Sequence, residues 1–313
     1  MQPAMIRNFD ELLAHASKLP EKRVLIILPG NAETFQAVAD AQRHLNVRFL
    51  LVGDREMIDH GVAAQKVNAA RLEISHCPEP KDALEHSIEL VAGGKADILM
   101  KGSIDTSTMM KAVLQQDTGL RGGRLLSDIF VLEYLPRTDN KFIMITDGGM
   151  TLAPDLRNKV ELINNAVNVA HALGNPLPKV AVLSATEFVL PNLPSTLDAA
   201  ALAKMSDRGQ IKGCVVDGPF ALDNALSIEA AKEKGISSPV AGKAEILVAA
   251  NIESANSLAK GTTYFGNVRL AHVIVGARVP ILIPSRADKS DAKLLSVALG
   301  MIMADYEAAH SAG

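Results

Sequence analysis

The sequence predicts an α/β fold, in two domains or one large one, built on largely parallel sheets. Three observations carry that expectation. Short apolar runs such as VLIILP (24–29) and RFLLVG (48–53) alternate with helical stretches. At least five such runs end in small polar residues, where open α/β sheets bind their ligands. The 313 residues, 48% hydrophobic and 21% charged, suffice for two such domains or one large one.

The elements follow in order. Residues 9–19 form a short amphipathic helix. Residues 24–29 are the first strand, Gly30-Asn31 turns the chain, and residues 32–44 are a helix with Phe35, Val38, Ala39 and Gln42 near one face. With the strand at 48–53 this opens a βαβ series, without the G-x-G-x-x-G of a dinucleotide site. A helix over 82–92 precedes a strand at 97–100. That strand ends in Lys101-Gly102-Ser103, ahead of a helix carrying Met109, Met110, Val113 and Leu114. A cation, a permissive backbone and the hydroxyls of Ser103, Thr106 and Ser107 suit an anion; they equally suit an ordinary capped helix. Strands at 128–135 and 142–146 pair as a hairpin across Pro136, Asp139 and Asn140.

Pro154-Asp155 opens a strong helix with Leu156, Val160, Ile163, Val167 and Ala170 on one face, closed by Gly174. The change of phase over 147–154 marks a domain boundary. A second βαβ series begins at Lys179. Its strand 180–183 ends in Ser184-Ala185-Thr186, and Ser195 to Asp198 reads as a capping box before a helix. Strand 213–216 ends in Asp217-Gly218-Pro219, and Asp223-Asn224 precedes a helix running to Lys234. Strand 245–249 leads to a helix that carries Asn256. Residues 272–276 and 281–283 form a hairpin. The last strand stops at Pro284 and delivers Ser285 and Arg286, then Asp288, Ser290 and Asp291, before a helix from about 292 to 304. A hydroxyl, a guanidinium and carboxylates thus meet where a strand hands over to a helix. Taken alone, that stretch fits an anion site and a capped helix start equally well.

Composition removes several functions. The net charge is −3 with no basic run, and aromatics are 4% with no Trp, which argues against a nucleic-acid partner. There is no apolar signal core and no run of 18 apolar residues, so no membrane role is expected. Cys77 and Cys214 are far apart and lack metal spacing. A cytoplasmic protein without structural disulfides is the expectation. H-E-x-x-H, paired Cys-x-x-Cys, a Walker loop and G-x-S-x-G are all missing, and the eight histidines fall outside the strand-end loops. Arg, Lys, Ser/Thr, Asn and Asp are left to bind an anion and move a proton.

The chain resembles the phosphate acetyltransferase and phosphate butyryltransferase family. The matching runs are KADILMKGS (95–103), TDGGMTLAPDLRNK (146–159), STLDAAALAKMSDRGQI (195–211), VDGPFALDNALS (216–227), PVAGKAEILV (239–248) and SRAD (285–288), spread over roughly Ala96 to Leu299. The Lys-Gly pair looks closer to the butyryl branch. The resemblance implies a fold like that of isocitrate and isopropylmalate dehydrogenases. Two α/β domains would flank a cleft, residues 1–147 with the returning helix 292–313 against residues 148–291, in a homodimer or larger homo-oligomer. It also implies the reaction, reversible transfer of a short acyl group between coenzyme A and phosphate, with no metal or redox cofactor. By analogy Ser285 and Arg286 match the pair that orients the thiol and stabilises developing charge. The acetyl branch has an Asp seven residues after that Ser, whereas this chain has Ala292. Asp288, within the SRAD run, is then favoured as base over Asp291. Lys101, Ser103, Thr106 and Ser127 are the phosphate candidates; Gly102, Asp147, Asp217, Gly218, Asp223, Asn224, Asn256 and Asp291 are candidates to line the substrate site. Two other readings remain at this point: a metal- and NAD-dependent decarboxylating dehydrogenase on the same fold, and a non-catalytic acyl-CoA sensor.

Overall fold

The computed structural model describes residues 5–115, 118–134, 141–285 and 288–310. Helix α1 (Phe9–Ala16) buries Phe9, Leu12 and Ala16, spaced along one face. Strand β1 (Lys22–Ile27) is fully buried over its last four residues. Helix α2 (Ala32–His44) starts at Asn31, whose side chain accepts the Thr34 N–H, and β2 (Val47–Gly53) follows. Residues 54–81, unassigned from sequence, hold α3 (Arg55–Ala64) and β3 (Leu72–His76). Helix α3 buries only Ile58, and β3 is an edge strand with no fully buried residue, so neither writes a strong apolar period. Next come α4 (Pro80–Ala92), β4 (Ile98–Lys101) and α5 (Thr106–Val113).

Strands β5 (Ser127–Glu133) and β6 (Phe142–Thr146) pair antiparallel, as their lack of helical period suggested. The turn assigned to Pro136, Asp139 and Asn140 lies outside the described residues. Helix α6 (Leu156–Ala172) opens with a true capping box, in which Asp155 and Asn158 exchange side-chain and backbone bonds. Strand β7 (Lys179–Leu183) leads to α7 (Pro194–Asp207). Here the expected Ser195–Asp198 box is not formed. Pro194 takes the first helical turn, Ser195 Oγ bonds Ser184 Oγ at 2.8 Å, and Asp198 instead pairs with the buried Lys159 at 2.6 Å.

Strand β8 (Val215–Phe220) runs through Asp217-Gly218-Pro219, so those residues sit inside the strand and not beyond its end. Its register against β7 shifts between Ala181 and Leu183, which accommodates the irregular stretch. The helix expected after Asn224 is two short ones, α8 (Leu222–Leu226) and α9 (Ile228–Glu233). Ser227 ends the first and caps the second, and Asp223 and Asn224 lie within α8. The chain continues with β9 (Ile246–Val248), α10 (Ile252–Tyr264), β10 (Leu270–Val275), β11 (Ile281–Leu282) and α11 (Ser290–His310).

The chain forms two compact units, each of the predicted α/β class. Residues 9–124 and 271–313 make one, and residues 125–270 with the N-terminal eight make the other. The sequence boundaries were drawn at 147/148 and 291/292. The units change over elsewhere because of strand pairing. β6 pairs with β9, which takes the β5–β6 hairpin into the unit of residues 125–270. β11 pairs with β4, which takes residues 271–291 into the other. The strand order is β3-β2-β1-β4-β11-β10 in the first unit and β5-β6-β9-β7-β8 in the second. Helix α11 is buried at every residue from Lys293 to Met303 and packs on α2, α1 and β11. No helix among the described residues is long and apolar enough to cross a membrane.

Candidate functional site

Three parallel strands of the first unit, β1, β4 and β11, end side by side. Ile27 is in register with Lys101, and Leu282 with Met100. The chain therefore leaves the sheet at Leu28–Gly30, Lys101–Ser103 and Ile283–Ser285 along one edge. The first two exits are stitched together, with Gly102 N donating to Ile27 O (2.9 Å) and Ser103 N to Leu28 O (2.7 Å). Gly102 is required there by space. A Cβ would stand 2.2 Å from Leu28 O and 2.4 Å from Ile27 O. A Cβ on Gly30 would stand 2.4 Å from Ser103 Oγ. The sequence reading took Gly30 for a simple turn; its packing against Ser103 leaves no trace in local pattern.

Lys101 is buried, and its ammonium donates to Gly102 O (3.4 Å) and Ile104 O (3.3 Å). Ser103 is exposed, and Thr106 opens α5 behind the cap Asp105, which accepts from Thr108 N and from Ser107 Oγ. Those bonds hold the Asp105 carboxyl below the usual carboxylate range. On the β11 side, Ser285 and Asp288 are tied twice. Ser285 N donates to Asp288 Oδ2 (2.7 Å), and Asp288 N donates to Ser285 O (3.1 Å). Helix α11 then begins with Ser290 N on Glu33 Oε2 (2.9 Å), a carboxylate from the first turn of α2. Asp291 is exposed on the first turn of α11. Arg286 lies outside the described residues. The structure thus brings Lys101, Gly102 and Ser103 onto a strand exit neighbouring that of Ser285 and Asp288. Two groups at this edge escaped the sequence reading, Glu33 and the buried Lys293, whose Nζ donates to Asp288 O.

The remaining candidates belong to the second unit and fall into three groups. The first gathers at the β5–β6 hairpin. Ser127 is fully buried and accepts from Asn165 Nδ2 (2.8 Å). The Asp147 carboxylate accepts four backbone N–H groups, from Asp128, Gly149, Met150 and Thr151, at 2.8–3.1 Å. Burial and the Asp128 carboxylate push its pKa up to about 6, against those donors. Asn256, on α10, holds Gly148 O at 2.9 Å. The second group is Asp217, which accepts Gly218 N (2.8 Å) and Ser238 Oγ (2.5 Å). In the third, Asp223 accepts Lys234 Nζ at 3.0 Å, which holds its carboxyl low. Asn224 donates to Glu187 at 3.1 Å, while its buried Oδ1 has no hydrogen-bond partner among the described residues.

Fold and site define a class first: an α/β protein whose strand ends present serine, lysine and carboxylate groups suited to a small anionic substrate. Comparison with known proteins narrows it. Residues 52–301 match the family described as Phosphate acetyl/butaryl transferase. The phosphate butyryltransferase of Clostridium beijerinckii is 42% identical over 96% of this chain and 99% of its own length. The phosphate acetyltransferase of Thermotoga maritima is 40% identical over 95% and 100%. The crystal structure of a branched-chain phosphotransacylase from Enterococcus faecalis superposes with a TM-score of 0.79 at 30% identity, over 90% of this chain and 99% of that one. The chain belongs to the phosphate acetyl/butyryl transferase family.

Proposed function

We propose that this protein reversibly transfers a short acyl group, in the range acetyl to butyryl, between coenzyme A and inorganic phosphate, by direct attack of the thiol on the acyl phosphate. Membership of the acyltransferase family favours this over a decarboxylating dehydrogenase. The observation that carries it is the adjacency of the β4 and β11 exits, which sets a lysine and a serine beside a carboxylate at one sheet edge.

The chemistry asks for three things. A thiol of pKa about 8.5 needs a base to reach its thiolate. The tetrahedral intermediate needs donors for its oxyanion, each worth about 3 kcal/mol in known cases. The leaving phosphate needs cations and N–H groups. In this reading Ser285 orients the thiol, Arg286 stabilises the charge that develops on the carbonyl oxygen, and Asp288 is the base. Lys101, Gly102, Ser103 and Thr106 receive the phosphate. No acyl-enzyme is needed, because two substrates held side by side supply the proximity. Asp291, on the first turn of α11, shapes the surroundings of the substrates.

The test is direct. Phosphate added to acetyl-CoA and to butyryl-CoA releases free thiol, read with a thiol reagent, and acyl phosphate accumulates in step. Absence of phosphate-dependent thiol release across a series from acetyl to hexanoyl overturns the reading.

A further inference from the structure

Lys293 stands in the first turn of α11 with 2% of its surface exposed. A lysine so deeply buried is rare, because taking an ammonium out of water is unfavourable unless something specific receives it. What receives it here is the main-chain carbonyl of Asp288. Asp288 in turn holds Ser285 through both its side chain and its amide. The carboxylates facing the ammonium are Asp288 and, from α2, Glu33, which also accepts the first amide of α11 at Ser290. Burial lowers the pKa of Lys293, and these two carboxylates draw it back up.

Packing does not account for this residue. Its neighbours along the buried part of α11 are Leu294, Leu295, Val297, Leu299, Met301 and other apolar or small residues. A methionine at 293 would fill a similar volume without a desolvation penalty. What methionine lacks is a donor for Asp288 O.

We propose that Lys293 is a positioning residue for acyl transfer: by gripping the Asp288 carbonyl it fixes the linked pair Asp288 and Ser285 in the geometry that the reacting thiol requires. The inference rests on the acyltransferase reading above and deepens it. Lys293 acts through Asp288 and Ser285, and its loss is felt in turnover more than in substrate binding.

The experiment compares wild type, Lys293→Met, Ser285→Ala and the double variant in the direction acyl phosphate plus CoA. Lys293→Met is expected to fold with a thermal midpoint at or above that of wild type, because a buried charge is removed. Its KM values stay within about twofold, while kcat falls roughly 10- to 100-fold, the scale of a small misplacement of reacting groups. In the Ser285→Ala background the same change costs less than about threefold, since the two residues act as one unit. Wild-type kcat in the Met variant overturns the inference, and so do fully multiplicative losses in the double variant. A Met variant that fails to fold overturns it as well, because Lys293 would then be a structural residue. Inactivity of the wild-type protein is a different result: it removes the acyltransferase reading itself.

Discussion

The narrowest place at the strand exits is Gly102, and Gly102→Ala puts a single methyl into it. The new Cβ meets Leu28 O at 2.2 Å and Ile27 O at 2.4 Å. Both are backbone atoms, so no side chain can swing aside. Relief requires β1 and β4 to part, and the bonds lost are Gly102 N to Ile27 O and Ser103 N to Leu28 O. Each is worth about 1 kcal/mol net. Overpacking of this kind adds about 1–3 kcal/mol. The expected destabilisation is therefore about 3–5 kcal/mol, which for a slope near 2 kcal/mol per molar moves the urea midpoint by roughly 1.5–2.5 M. Gly94→Ala is the comparison. Its φ is +71°, so it carries left-handed strain of about 1–2 kcal/mol, with no atom within 4 Å to clash. Urea curves followed by circular dichroism give the stabilities, and thiol consumption from CoA and butyryl phosphate gives turnover. A Gly102→Ala variant no less stable than Gly94→Ala refutes the packing argument. A variant destabilised as expected, yet turning over at the wild-type rate where it remains folded, refutes the placement of phosphate at this exit.

Three further outcomes are expected. Arg286→Ala loses at least 100-fold in kcat while its unfolding curve matches wild type; near wild-type turnover removes its assigned role. Asp288→Asn slows attack by CoA more than Asp291→Asn, in single-turnover measurements from acyl phosphate, and the reverse order moves the base to Asp291. Glu307, near the end of α11, has its pKa pushed up to about 7 by burial, against the pull of Arg124 at 3.6 Å. A carboxyl raised in the folded state stabilises fully below its ordinary pKa near 4.5, and that contribution is lost as pH rises through about 7. Glu307→Gln should lie within about 1 kcal/mol of wild type at pH 5 and exceed it by about 3 kcal/mol at pH 8. Urea midpoints that shift in parallel for the two proteins contradict this.

Much of the fold was legible because its strands are buried on both faces and its helices carry one apolar stripe. The helix at 32–44, the strand at 142–146 and the long helix opening at Asp155 were read to within a residue or two. Edge elements escaped. β3 has no fully buried residue and α3 only one, so burial wrote nothing periodic into residues 54–81. The Ser195 cap was misread because Ser195 bonds Ser184, a partner eleven residues away that no local pattern reveals. The site was legible as chemistry and illegible as arrangement. Ser285 and Lys101 stood out as polar strand ends, but β11 lying parallel to β4 is a pairing across about 180 residues. Lys293 was passed over because a lysine early in a helix reads as solvated; only burial separates it from its exposed neighbour Lys289.

That long-range pairing bears on how the chain is made. β4 leaves the ribosome well before β11, and the whole of residues 125–270 is synthesised in between. Until β11 and α11 arrive, β4 is paired only with β1 and its other side is open, and α2 lacks the helix that covers it. The nascent amino-terminal segment therefore spends much of translation with apolar surface uncovered, the condition in which chaperones are recruited. Polypeptides released early, short of residue 281, would carry the second unit intact beside a first unit that is open and prone to aggregate.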